Sequence, residues 1–232
     1  MTTNEKQASD GSGSGKLCAV VPVKVTTDAK QRLASILSAS QRRSLALTML
    51  EDVLATLAHV AGLADTVVVT ADPAAAVIAG RYGAQVWSDG AQTGHTGAVV
   101  AAARRLARAH LDMLTLPGDI PLVEPDDVRI LADATEPFVI VPARDDLGSN
   151  AVRCAPPDIV PLRFGDNSFF PHLVAARGLS IAPKVIRLPR IALDIDTPQD
   201  LALFLAQPSR TRTRALLDGW RVPTDRETEA LA

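Results

Sequence analysis

The sequence predicts an α/β domain with a mostly parallel central sheet, and three observations predict it. The strand-like runs are continuously apolar rather than alternating (LCAVV near the start, TVVVT at 66–70, FVIV at 138–141), the pattern of strands buried on both faces. These runs alternate with stretches of helical spacing, the element order of an α/β fold. The chain has 232 residues, 47% hydrophobic and 22% charged, enough for one well-buried domain with tails.

Each element can be justified in turn. Residues 17–25 (LCAVVPVKV) form a buried first strand. Residues 40–61 carry Leu45, Met49, Val53, Leu54 and Leu57 at helical spacing, with Ser40 as the expected N-cap. Residues 66–70 form the second strand, and Ala71-Asp72-Pro73 opens another helix. A short strand at 84–87, an alanine-rich helix at 98–110 and a strand at 113–116 follow, the last closed by Pro117-Gly118-Asp119. Residues 138–141 form a further strand. In such sheets ligands sit outside the C-terminal strand ends, which directs attention to the positions just after residues 23, 70, 116 and 193. No internal repeat stands out. Residues 1–16 are polar, end in a Gly-Ser run and lack the apolar stretch of a signal peptide, so they read as a flexible tail before a domain at 17–206. The remaining 207–232 carry Arg210, Arg212 and Arg214 and then Leu216 and Leu217, compatible with a short packing helix or an arm for a second subunit of a homodimer.

Composition removes several classes of function. Lys plus Arg number 24 and Asp plus Glu 26, for a net charge of −2, without the basic excess of a general nucleic-acid or anionic-membrane binder. Only 3% of residues are aromatic, too few for a stacking platform. Cys18 and Cys154 lie far apart in apolar runs with no CxxC, which reads as two buried thiols in a reducing cytoplasm rather than a disulfide or zinc site. The apolar runs end well short of the ~18 residues of a membrane span.

Four constellations can carry chemistry. In IALDID, a strand reading projects Asp194 and Asp196 to one side, a hard oxygen pair suited to Mg²⁺. Asp196 or Thr197 could instead cap the following helix, with Pro198 in its first turn, a reading that leaves Asp194 unexplained. In Leu116-Pro117-Gly118-Asp119-Ile120-Pro121 a turn presents a third carboxylate at a strand end. Residues 17–50 carry Lys24, Lys30, Arg32, Arg42 and Arg43 against the single acid Asp28, a local basic excess that suits phosphate or simply solvates a loop. Gly148-Ser149-Asn150 and Phe164-Gly165-Asp166-Asn167-Ser168-Phe169 read as two loops whose small, hydroxyl and amide groups can wrap an anion; Ser168 could equally cap the helix that carries Leu173 and Val174. His172 in that helix reads as a core or surface histidine. There is no GxSxG, Walker P-loop or GxGxxG.

The order PVK, AKQRL, LPGDIPLV, GSN, FGDNSF with a following His, and LDIDTPQDL resembles the 2-phospho-L-lactate guanylyltransferase family of coenzyme F420 biosynthesis. The resemblance spans about residues 17–206. It implies a single Rossmann-like nucleotidyltransferase domain of GT-A-like fold, which activates a phosphorylated three-carbon acid with GTP and releases pyrophosphate. 2-Phospho-L-lactate, phosphoenolpyruvate and 3-phospho-D-glycerate are the acids used across the family. Carried over by position, the resemblance implies that Asp119, Asp194 and Asp196 hold Mg²⁺. Lys24, Ser149, Asn150, Gly165 and Ser168 would face the acid and its phosphate, and Lys30 the triphosphate. Val23, Thr70, Gly94, Thr96, Pro117 and Gly118 are the candidate nucleotide-facing positions, with the base held by backbone and aliphatic walls rather than by Trp87 or a Phe. The chain departs from the family at Gly94-His95-Thr96-Gly97, where Gly-Leu-Asn is usual, and at Ser149, where Thr is usual. The alternatives are another GT-A-like nucleotidyltransferase, whose glycine-rich opening loop is missing here, and a non-catalytic nucleotide-binding protein.

Overall fold

The computed structural model describes residues 16–165 and 167–220; the N-terminal tail, Asp166 and the last twelve residues lie outside the described residues. The first strand, β1 (Leu17–Val23), is apolar throughout and buried except at its end. Two short 3₁₀ turns lead into α1 (Ala39–Leu57). Its N-cap is Ser38, not Ser40: the Ser38 hydroxyl accepts from the Gln41 N–H while the Gln41 side chain accepts from the Ser38 N–H. Gln41 stands three residues after Ser38, so only Ser38 can form this reciprocal box. Next come β2 (Leu63–Thr70) and α2 (Pro73–Arg81), whose N-cap Asp72 accepts from the N–H groups of Ala74 and Ala75. Strand β3 (Gln85–Trp87), helix α3 (Gly94–Arg108) and strand β4 (Asp112–Thr115) follow, α3 starting four residues before the sequence predicts. Then come α4 (Pro125–Ala132), β5 (Phe138–Pro142), β6 (Ser149–Cys154), α5 (Phe169–Gly178) and β7 (Lys184–Val185). Helices α6 (Pro189–Ala192), α7 (Pro198–Ala206) and α8 (Arg212–Trp220) are the last elements among the described residues.

The seven strands form one sheet in the order β3-β2-β1-β4-β6-β5-β7. All pairings are parallel except those of β6, which runs antiparallel to both β4 and β5. The sequence does not announce β6, because SNAVRC carries a buried Asn150 and Arg153 where an apolar run is expected. Arg153 is tolerated because Asp112 stands 3.6 Å away and the Glu136 carbonyl accepts from it. Ser149 and Asn150 therefore enter a strand rather than remain in a loop. Conversely, 193–196 form no strand: the Ile195 N–H donates only to the Asp119 carbonyl (3.1 Å), a single tether in place of a ladder. Residue 193 is thus not a strand end.

Alternate residues of β1 feed two cores. Ala19 and Val21 pack with α1, α2 and α4 on one face, and Cys18 and Val20 with α3 and α5 on the other. Both cysteines are buried free thiols, their pKa pushed up to about 12 first of all by burial. A third cluster joins Leu45 and Met49 of α1 to Leu193, Ile195, Phe204 and Leu217. The Asp52 carboxylate of α1 accepts from the Arg212 and Thr213 N–H groups and the Thr213 hydroxyl, so α8 packs on its own domain. Among the described residues no helix is long and apolar enough to cross a membrane.

Candidate active site

Three segments converge beyond the C-terminal ends of β1 and β4. Leu116 still pairs with Val20, and the turn after it presents Asp119. Leu193 and Ile195 are buried in the third core cluster, so the alternation along 193–196 directs Asp194 and Asp196 the other way, into the cleft. Thr197 is the N-cap of α7, in a reciprocal box with Asp200, which leaves Asp196 free of a capping task. One carboxylate oxygen from each of Asp119, Asp194 and Asp196 lies within 4.8 Å of the others.

The trio is held by neighbours of two kinds. The Asn150 amide donates to Asp194 Oδ1 (2.9 Å) and to the Ile191 carbonyl (3.0 Å), fixing Asp194 from β6. The Lys30 ammonium lies 2.5 Å from Asp119 Oδ2 and 2.6 Å from Asp196 Oδ1. It is delivered by a backbone in the left-handed region (φ 53°), a conformation an L-residue keeps only where its surroundings enforce it. Burial alone would lower the Lys30 pKa, but Asp119 and Asp196 hold it above its ordinary value and the ammonium charged. Burial likewise opposes ionisation of Asp196, and Lys30 overrides it, holding that carboxyl below the usual range. Asp194 lacks such a partner: burial, then the Asp119 charge, raise it to about 6. The site fits a divalent cation on its own terms. Asp119 Oδ1 is buried with no hydrogen-bond partner among the described residues, Asp194 is short of positive charge, and an ammonium already stands where two carboxylates need a cation.

Two cavities meet at Asp119 and Asp196. One, of about 770 Å³, runs past Asp119, Asp194 and Asp196 to Ser149, Gly165, Asn167 and Ser168. The other, of about 460 Å³, is walled by Val23, Val25, Ala46, Leu50, Pro117 and Gly118 and edged by Lys30. Lys24, Arg32, His95, Pro117, Asp119 and Asp196 line both, so the seam between the cavities is where charge is densest.

The structure brings most of the expected residues together. Lys24, Ser149, Asn150, Gly165, Ser168, Gly94 and Thr96 line the larger cavity, and Val23, Lys30 and Gly118 the smaller. Gly165 sits at φ +142°, where a side chain is strained. Thr70 lines neither cavity: it is buried opposite Val23, and its hydroxyl accepts from the Asp72 N–H. Thr96 reaches the larger cavity, but its hydroxyl is engaged with Phe164, donating to the carbonyl (3.1 Å) and accepting from the N–H (2.9 Å). Ser168 does not cap α5 with its side chain; its hydroxyl donates to Ser149 Oγ. Trp87 is buried under the Arg105 guanidinium and lines neither cavity. Sequence reasoning missed His95, half-buried at the seam with its pKa lowered to about 4, first by desolvation. It also missed that the ring of buried His172 reaches Ser149. The following-His position in the FGDNSF motif was the available signal for the second; the departure at Gly94–Gly97 was the signal for the first.

Residues 17–229 match the family described as "Guanylyl transferase CofC like". The phosphoenolpyruvate guanylyltransferase of Conexibacter woesei is 38% identical over 190 residues, 79% of this chain and 84% of that one. The 2-phospho-L-lactate guanylyltransferase of Methanothermobacter thermautotrophicus is 32% identical over 204 residues, 87% and 90% of the two chains. A provisionally described nucleotide-diphospho-sugar transferase from Desulfovibrio desulfuricans G20 superposes with a TM-score of 0.71 at 20% identity, covering 94% of this chain and 96% of that one, a likeness of fold.

Proposed function

The chain belongs to the guanylyl transferase CofC-like family and is a guanylyltransferase, and from that premise we propose that it joins GMP from GTP to a phosphorylated three-carbon acid in coenzyme F420 biosynthesis in the cytoplasm. The acids considered are phosphoenolpyruvate, 2-phospho-L-lactate and 3-phospho-D-glycerate. The observation that carries the reading is the placement of Asp119 and Asp196 at the seam of two cavities, with Asp194 beside them in the larger one, the smaller cavity walled by aliphatic groups and the larger by hydroxyl and glycine positions. The aliphatic cavity suits the guanine and its ribose. The hydroxyl-lined cavity suits the acid.

A phosphate oxygen of the acid attacks the α-phosphorus of GTP. A P–O bond forms there, the bond from the α-phosphorus to the bridging oxygen breaks, and pyrophosphate leaves with that electron pair. The attacking oxygen is already anionic, so the protein need not supply a base; its work is to align the two substrates and screen their charge. Lys24 is exposed at the seam and reaches toward both substrates, lowering the repulsion between two phosphates as they approach. Lys30, now on Asp119 and Asp196, would face the triphosphate if a cation took its place between these carboxylates. Asn150 keeps Asp194 aimed at the seam. Mg²⁺ held by Asp119, Asp194 and Asp196 would supply charge neutralisation at the phosphate oxygens.

Pyrophosphate release from GTP, assayed with each of the three acids in turn and with CTP and ATP as controls, tests the proposal. Release that requires GTP and one of these acids is the expected result. No release with any of them would overturn it.

A further inference from the structure

We propose that His172 is a positioning residue that fixes the Ser149 hydroxyl as a donor aimed into the larger cavity, toward an anionic oxygen of the acid. The inference rests on the reading of that cavity as the acid site. It follows from the direction of three hydrogen bonds.

The chain of bonds starts at a group whose role cannot change. The backbone N–H of Arg163 donates to His172 Nε2 at 2.9 Å, so Nε2 offers its lone pair and carries no proton. The ring is buried, 1% exposed, and burial holds its pKa down to about 4, so it is neutral and has one proton to place. That proton is on Nδ1. Nδ1 lies 3.0 Å from Ser149 Oγ, which accepts it. Ser168 donates a second hydrogen bond to the same oxygen at 3.2 Å. A hydroxyl oxygen has two lone pairs, and both are taken. The Ser149 proton has no acceptor among the described residues, while Ser149 and Ser168 both line the cavity. Among the described residues, Ser149 is therefore left to donate to what enters the cavity.

The ring is also kept from turning. Phe164 meets it edge-on at 5.1 Å between centroids, and His95 packs on Phe164 at 4.6 Å. The Phe164 backbone is in turn clamped by the Thr96 hydroxyl from both sides. His95 and Thr96, both within the 94–97 segment singled out in the sequence, thus support the ring that orients Ser149.

The test uses the full chain, with Ser149→Ala, His172→Phe, His172→Gln and the double variant Ser149→Ala/His172→Phe. The KM for the acid and for GTP is measured for each. Ser149→Ala and His172→Phe are each expected to raise the KM of the acid about tenfold, the loss of one hydrogen bond to a charged group, with the KM of GTP unchanged. The double variant is expected to be no worse than either single one, because both remove the same donor. His172→Gln, whose amide supplies an N–H and a C=O, is expected to restore part of the loss. Nitrogen NMR of the ring is expected to show the Nδ1–H tautomer. An Nε2–H tautomer, additive losses in the double variant, or an equal rise in the KM of GTP would overturn the inference and leave the proposed reaction standing. Failure of every acid in the panel to support turnover of the unsubstituted protein would overturn the reading of the cavity and the inference with it.

Discussion

The two sides of the cleft meet anions by different means. On the side of β1 and the turn after β4, charges face charges: Lys30 bridges Asp119 and Asp196 at 2.5 and 2.6 Å, and Lys24 and Arg32 stand at the rim. On the side of β6 and α5, neutral groups do the work: two serine hydroxyls, a glycine at φ +142° and an imidazole kept uncharged by burial. Charge attraction is strong but tolerant of direction, whereas hydrogen bonds to fixed neutral groups are weaker and demand geometry. The charged side is therefore suited to the phosphates common to every acceptor, and the neutral side to telling one acid from another.

The largest test of this contrast is Asp194→Asn. It should lower turnover by more than about a hundredfold, the scale of losing a positioned charge at a reacting phosphate. It should leave thermal stability unchanged or slightly higher, because one of three crowded carboxylates no longer repels the others. Pyrophosphate release and a melting curve read the two effects, and unchanged transfer would remove Asp194 from the metal site. Next in size is Lys24→Ala, expected to raise the KM of both substrates about tenfold, since the side chain lines both cavities. An effect on one substrate alone would break the symmetry assigned to the seam. Gly165→Ala should act on the neutral side only. Its backbone lies in a region costly for any side chain, by about 1–3 kcal/mol, so the denaturation midpoint should fall and the KM of the acid rise while that of GTP stays put. The smallest effect concerns pH. His172 is held neutral, with its pKa lowered from the ordinary 6.5 to about 4, so its contribution to stability is complete above pH 6.5 and is lost as the pH falls toward 4. The stability of the unsubstituted protein relative to His172→Gln should decline across that window, as followed by melting temperature at stepped pH; a constant difference would mean the ring is not held neutral.

Strands β1, β2, β4 and β5 were legible because each carries a buried apolar run, from Leu17 in β1, Val67–Val69 in β2, Met113 and Leu114 in β4 and from Phe138 in β5. Strand β6 was not, since Asn150 and Arg153 look like loop residues until Asp112, Asp194 and the Glu136 carbonyl are seen to satisfy them. The three carboxylates could be selected from their positions near strand ends and from the family resemblance, although 193–196 proved to be joined to the Asp119 turn by one backbone bond rather than woven into the sheet. What escaped was the pairing of donors with acceptors. Thr70 and Thr96 look like ligand-facing hydroxyls in the sequence, but one turns to Asp72 and the other to Phe164. Such choices depend on which backbone groups lie within 3 Å, and spacing along the chain does not encode that.

The Asp52 cap on α8 bears on where the working protein ends. Leu217 lies in the same apolar cluster as Leu193 and Ile195, the two residues that seat the Asp194–Asp196 segment. Asp52 clamps the first turn of α8 over that cluster. A chain cut after α7 would keep every residue that lines the cleft and yet lose the wedge behind two of its carboxylates. Its inactivity would look like a damaged active site although no such residue had been touched. A tag or fusion partner joined at the carboxyl end therefore has to leave α8 free to close on α1.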